Sequence, residues 1–433
     1  MTRRRRTGRG DRAAGLGRKG TDLGRRRVLQ TAGALAFMNA LPARSASRGP
    51  RVVVVGAGAF GGWTALMLVR KGARVTLLDS RGAGNTIASS AGETRVIRAV
   101  YGDNAVAMRM AIRAMELWKE NQARFNMVLF RERGLLWLAS DDDSYLAAAL
   151  PLLKVAGRTW DEMTPAAAAK RYPAIDFDGV RRIILEPAAG YLLARQACET
   201  VARAVVSEGG ELRQAEVRPP RLPGGRPSKS AAIDRVRLDA LSLADGGRLP
   251  ADQFVFACGP WLGSLFPDLI GDWVRPTRQE LFTFTTPAGD TRFFDDRLPP
   301  WVDLGPPLRY GIPGGEGRGM KFGDDTRGPL FDPTSGDRTP SAEGERAARA
   351  YLERRFPALR GAPLESAQVC QYENSPDNRF LIDRHPHATN VFIVGGGSGH
   401  GFKHGPAVGE MVAAMVLGER PVDETFSLRR FFN

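Results

Sequence analysis

Residues 51–80 read RVVVVGAGAFGGWTALMLVRKGARVTLLDS, and the reading of this stretch decides the fold. Val52 to Val55 make an apolar run of strand length. A glycine turn follows, then a helix, then a second strand ending at Asp79. Gly56, Gly58 and Gly61 give G-x-G-x-x-G, with Ala59 and Phe60 between the last two, and Asp79 follows Gly61 by 18 residues. Gly56 lets the chain turn off the strand, and Gly58 lets backbone N–H groups approach a pyrophosphate. Gly61 lets the helix pack on the sheet, and Asp79, with Ser80 beside it, can hold a ribose. The pyrophosphate then sits on the positive end of the helix. Glycine is common here, 50 of 433 residues, so the motif alone could mark an ordinary βα turn. The four-valine strand before it and the acid at the end of the second strand favour dinucleotide binding.

The formal charge of +15 invites a nucleic-acid reading. Residues 1–50 hold 13 Arg or Lys against two Asp, which leaves only +4 for the other 383 residues. No nucleic-acid groove is expected from so nearly balanced a remainder. The basic segment is better explained by Arg25, Arg26 and Arg27 ahead of a short apolar stretch and small residues at Ala43 to Ser47. It resembles a twin-arginine signal, so the Tat export machinery is an expected partner and the protein is expected to be exported; an uncleaved cytoplasmic tail is the alternative. No apolar run is long enough to span a bilayer. Three cysteines (Cys198, Cys258, Cys370) make no disulfide framework and no C-x-x-C, and all four histidines follow position 384, so no metal site is expected.

Along the chain, Arg95 and Arg98 are spaced to share one side of a helical turn. A helix is expected from about Ala105 to Asn121, strands around Val128 to Leu138, and a helix from Asp142. The turn Glu186 to Tyr191 is expected to start a helix running through Val206. GGELRQAEV and QFVFACGPW read as strands, PPRLPGGRPSKS as a loop, and the alternation from Arg275 to Asp325 as antiparallel strands. A helix is expected over Ser341 to Phe356. VFIVGGGSGHGFKHGPAVGEMVAAMVLG then gives a second strand, glycine turn and helix, some 340 residues after the first. Two such elements suit a large cofactor contacted at both ends, which favours FAD over NAD.

The stretches VVVVGAGAFGG, SSAGETRVIRAVYG, EPAAGYL, ACGPW, RPTRQ, YGIP…GMKFGDD, VCQYENSPDNRFLIDRHP and VGGGSGHGFKHGPAVGE follow one another in this order. They resemble the D-amino-acid oxidase superfamily of FAD-dependent oxidoreductases, nearest its monomeric sarcosine oxidase and N-methyl-tryptophan oxidase branch, from about Arg51 to Leu428. The resemblance implies an α/β (α+β) fold. A Rossmann-like FAD-binding domain would occupy residues 51–130, 185–262 and 364–433. An antiparallel-sheet substrate domain would occupy 131–184 and 263–363, after a leader over 1–50.

It also implies the site. Cys370 matches the cysteine that carries a covalent flavin link, and Gly397, Gly399, His400, Gly401, Phe402 and Lys403 match the second cofactor loop. Arg98 and Lys403 match the pair that grips a substrate carboxylate, as a guanidinium fork and an ammonium can. Lys321 matches the lysine that promotes reaction with oxygen, and Arg95 a second arginine near the flavin. Tyr310 and Tyr372 match aromatic walls of the substrate cavity. Two histidines of the sarcosine oxidase site match Ala91 and Asp325 here, which points away from sarcosine and toward a larger or cationic substrate. The implied activity is oxidation of the C–N bond of an N-alkylated amino acid, with dioxygen as acceptor, by a monomer. The rivals are a dehydrogenase that passes electrons to a quinone or carrier, and a flavin-binding protein without catalysis.

Overall fold

The valines that precede the glycine turn lie in the middle of a six-stranded sheet in the computed structural model, which describes residues 49–223, 225–226, 235–314 and 319–432. The leader expected over residues 1–50, with its arginine signal, lies outside the described residues except for Gly49 and Pro50. Parts of the 219–230 loop and of the 275–325 stretch lie outside them too.

Strand β1 (Arg51–Val55) pairs in parallel with β2 (Arg74–Asp79) on one side and with Gln253–Phe256 on the other. Val391–Gly395 and Glu211–Gln214 extend the parallel sheet, and Leu381–Arg384 closes one edge antiparallel. Val52, Val53 and Val54 are all buried, as an unbroken apolar run between two covered faces should be. Helix α1 (Ala59–Arg70) can lie close to β1 because Gly61 has no side chain: a Cβ there would stand 1.8 Å from the Gly56 carbonyl oxygen. The helix Gly405–Val416 crosses α1 at Gly409, where a Cβ would meet the Trp63 backbone at 2.6 Å. The two strand–glycine–helix elements of the sequence thus share one sheet, their strands separated by Gln253–Phe256 and their helices in contact.

A second sheet has eight strands. Its long strands, Arg275–Phe284 and Leu364–Asn374, pair antiparallel, with Met320–Asp324, Arg309–Pro313 and Trp301–Asp303 following in order. Leu135–Ala139, Arg182–Glu186 and Asp161–Met163 complete it. The helix Ala342–Arg355 covers this sheet, packing Tyr351 and the following Phe356 against Trp301. Ser341 caps its first turn, Glu343 and Glu345 favour its positive end, and Arg354 and Arg355 its negative end. Beneath it the buried pair Arg355–Asp303 (3.1 Å) is completed by the Tyr351 hydroxyl, which donates to Asp303 at 2.7 Å.

Two expectations are corrected. Arg95 does not sit on a helical turn: β3 (Thr94–Ile97) is a strand, paired antiparallel with Gly190–Leu193. Nor does the turn after Glu186 lead directly into a helix. Gly190–Leu193 runs first as a strand, and the helix begins at Ala194. The cause is a close approach, since a Cβ at Gly190 would lie 2.0 Å from the Arg131 carbonyl oxygen. The helix expected at Ala105 is present, started by Asn104, whose side chain accepts from the Ala107 N–H at 2.9 Å, and it runs on to Phe125. Among the described residues no helix is long and apolar enough to cross a membrane.

Candidate active site

The ends of β1 and β2, the glycine loop after Val391–Gly395, and the strands Leu364–Asn374 and Arg309–Pro313 enclose a cavity of about 470 Å³. Gly56, Gly58, Ala59, Phe60, Asp79 and Ser80 line one end. Arg95, Tyr310, Cys370 and Tyr372 line the other, and Gly397, Gly399, Gly401 and Phe402 contribute from the C-terminal loop.

The first end fits a dinucleotide. Gly56 has φ +103°, and a Cβ there would collide with the Ala257 carbonyl oxygen at 2.3 Å. Gly58 caps α1 in extended conformation and lines the cavity, so the positive terminus faces it. Asp79 accepts from the Ala57 N–H at 2.9 Å and from the Arg81 N–H at 2.9 Å, one bond on each oxygen. Each oxygen keeps acceptor capacity for a hydroxyl. Ser90, which the motif does not announce, holds the Ala59 N–H at 3.0 Å.

At the other end, register decides what faces the cavity. Cys370 stands opposite Gln279 and Tyr372 opposite Thr277 on the paired long strands. Arg95 reaches back from β3, with one guanidinium nitrogen 3.9 Å from the Cys370 sulfur and bonds to the carbonyls of Ser89, Ala91 and Thr94. The Lys321 ammonium donates to the Thr94 carbonyl at 2.8 Å. Burial, with Arg95 adding repulsion, pushes Lys321 down to about 7. Cys198 and Cys258 have ordinary accounts as buried thiols: burial pushes the Cys198 thiol up to about 12 and raises that of Cys258 as well. Among the described residues no cluster of His, Cys, Asp or Glu could hold a metal.

Beside the cavity, Arg98 and Lys403 converge on one phenol. The Arg98 guanidinium carbon lies 4.2 Å from the Tyr101 ring centre and 5.3 Å from that of Trp137. The Lys403 nitrogen lies 5.7 Å from the same Tyr101 ring centre. Among the described residues neither cation has a carboxylate within ion-pair distance. Asp325, open to solvent, accepts from the Tyr372 hydroxyl at 2.8 Å. Glu186 is buried behind Arg98, accepting from the Ala99 N–H and from Trp137 at 3.2 Å.

Of the residues singled out in the sequence, Gly61 packs the helix rather than lining the cavity. Arg98, Lys321, Asp325, His400 and Lys403 do not line it; they are held beside it by bonds to Val100, Thr94, Tyr372, Asn378 and His400 respectively. The His400 ring is held by the Asn378 carbonyl at 3.0 Å and stacked on Phe380. Sequence reasoning passed over Tyr101, Trp137 and Glu186. Tyr101 carries a hint, three residues after Arg98 in RAVYG, and His404 directly follows Lys403; Trp137 and Glu186 are far away in sequence.

The family model described as FAD dependent oxidoreductase matches residues 51–415, and the chain belongs to that family. The monomeric sarcosine oxidase of Bacillus sp. (strain B-0618) is 31% identical over 373 residues, covering 84% of this chain and 92% of the relative. The N-methyl-L-tryptophan oxidase of Yersinia pestis (strain Pestoides F) is 28% identical over 390 residues, covering 88% and 99%. Among solved structures, L-proline dehydrogenase from P. horikoshii superimposes with a TM-score of 0.74 at 23% identity, covering 88% of this chain and 98% of that one. Amadoriase II from Aspergillus fumigatus gives 0.71 at 22%, covering 90% and 91%. These two likenesses bear on the fold.

Proposed function

We propose that the protein is an exported FAD-dependent oxidase that breaks the C–N bond of an N-alkylated amino acid, with the flavin linked through Cys370. The observation that carries this is the convergence of Arg98 and Lys403, two basic groups with no carboxylate within ion-pair distance among the described residues, on Tyr101 beside the aromatic end of the cavity. Such a pair is a receptor for a carboxylate, and fixing the carboxylate fixes which C–H bond is presented for oxidation. When bound, FAD supplies the hydride acceptor and passes the electrons on to dioxygen, giving hydrogen peroxide. The reading as an N-methyl amino-acid oxidase draws on the two named relatives, and that of a monomer on the printed name of the first. Export through the twin-arginine route rests on Arg25 to Arg27 and the apolar stretch after them.

Asp79 and the α1 terminus would hold the adenosine and pyrophosphate, and the loop Gly397–Phe402 the other end of the cofactor. The thioether reading is supported by the position of Cys370 on the cavity wall, with an Arg95 guanidinium nitrogen 3.9 Å from its sulfur. Replacing Cys370 with Ser is expected to leave FAD wholly in the supernatant after acid precipitation, where the unaltered protein keeps it in the pellet. Flavin released from the unaltered protein would contradict the link. Oxygen uptake with stoichiometric peroxide, measured over a panel of N-methyl and free amino acids, tests the activity; turnover only with a quinone or dye acceptor would make the protein a dehydrogenase.

A further inference from the structure

The Tyr101 hydroxyl is a hub. It lies 2.6 Å from His404 Nε2, 3.3 Å from Lys403 Nζ and 3.4 Å from His400 Nδ1, and its ring carries the Arg98 guanidinium. His404 is wholly buried, and its Nδ1 has no hydrogen-bond partner among the described residues, so its one bond is to this phenol. The second bond of Lys403 goes to the His400 carbonyl at 2.9 Å.

This arrangement bears on a chemical requirement of the function proposed above, and rests on that reading. An amino acid in neutral water is a zwitterion. Hydride can leave the carbon beside nitrogen only when the nitrogen lone pair is free, so the ammonium must first lose a proton. We propose that Tyr101 relays this proton to Lys403, with His404 as the positioning residue that holds the phenol, so that the substrate supplies the charge that grips its own carboxylate. The step balances. One N–H bond of the substrate ammonium breaks and the Tyr101 oxygen takes that proton. The phenol's own O–H breaks, and an N–H forms on Lys403, leaving a neutral amine, a neutral phenol and a lysine ammonium.

The surroundings support the direction of transfer. Burial, with Arg98 adding repulsion, holds Lys403 well below its ordinary value, so it enters the reaction able to accept. A carboxylate docking on Arg98 cancels that repulsion and gives the new ammonium a partner. The histidines are poor competitors: burial, reinforced by Lys403, takes His400 down to about 3 and lowers His404 also. The charged groups acting on Lys403 are Arg98 and Arg95 from the β3 segment, Glu186 from the strand Arg182–Glu186, and Asp325 after Met320–Asp324; Tyr145 acts on Tyr101.

Acetate, a carboxylate with no ammonium, separates the terms. Added to the flavin-loaded protein in weakly buffered solution near pH 8, with an indicator dye, it should perturb the flavin spectrum and take up about one proton per site filled. Lys403→Arg should bind it with no uptake. With an amino acid that bleaches the flavin anaerobically, the unaltered protein should show a reduction rate level between about pH 7 and 9. In Tyr101→Phe the rate should fall at least about tenfold at pH 7 and climb with pH, while acetate affinity changes less than about threefold. Acetate binding without proton uptake, or parallel pH profiles for the two proteins, would overturn the relay. A flavin spectrum that acetate never perturbs would instead overturn the carboxylate grip on which the relay rests.

Discussion

Replacing Lys321 with Met is expected to slow reoxidation of the reduced protein by dioxygen by about 10²- to 10³-fold, the cost of removing one preorganised charge from a site where charge develops. Anaerobic reduction by substrate should stay largely intact. Lys321 sits behind the cavity wall on the strand Met320–Asp324, its ammonium held by the Thr94 carbonyl at 2.8 Å, with Arg95 next to Thr94 on β3 of another sheet. Electron transfer to oxygen builds negative charge, and a buried cation stabilises it far more than a solvated one. The same argument fixes a pH dependence. Because burial and Arg95 bring Lys321 down to about 7, the ammonium form prevails below that pH and is lost above it. Reoxidation should therefore fall as pH rises through this region, and the Met variant should lack the transition. Stopped-flow mixing of the reduced protein with oxygenated buffer reads both. Unchanged reoxidation in the variant would remove Lys321 from this role.

Arg98→Met should weaken binding of the substrate carboxylate by about 10²- to 10³-fold, in the range for losing one partner of a desolvated charge pair. The guanidinium is braced before substrate arrives by the faces of Tyr101 and Trp137 and by its bond to the Val100 carbonyl, so little ordering remains to be done on binding. Methionine keeps the apolar packing and deletes the fork. The concentration dependence of anaerobic flavin reduction should show a much higher half-saturation, with a lower limiting rate because the C–H bond is no longer aimed. If only the limiting rate changed, Arg98 would be a positioning residue without carboxylate contact.

The sequence reading was sharpest where a strong local period met turn chemistry. Arg51 to Asp79 carries an apolar run, three glycines and a terminal acid, and β1, α1 and β2 fall where these signals put them. Arg95 was misplaced because its three-residue spacing to Arg98 is compatible with a helix, while what decides is the distant strand Gly190–Leu193. The same applies to the short strands Trp301–Asp303 and Asp161–Met163, which are held by neighbours and have little period of their own. In the site, residues sitting in glycine-rich motifs were legible. The hub was not, because Tyr101 and His404 are 303 residues apart and nothing local records that one phenol joins them. Glu186, read only as the start of a turn, and Trp137, within an expected strand, likewise carry no local sign that they stand beside Arg98.

The central claim, oxidation of an N-alkylated amino acid by the flavin-loaded protein, is tested most directly by following flavin absorbance anaerobically during titration with N-methyl amino acids. The account predicts bleaching by at least one of them, and full return of colour with peroxide when oxygen is admitted. A flavin that no amino acid of the panel bleaches would contradict it.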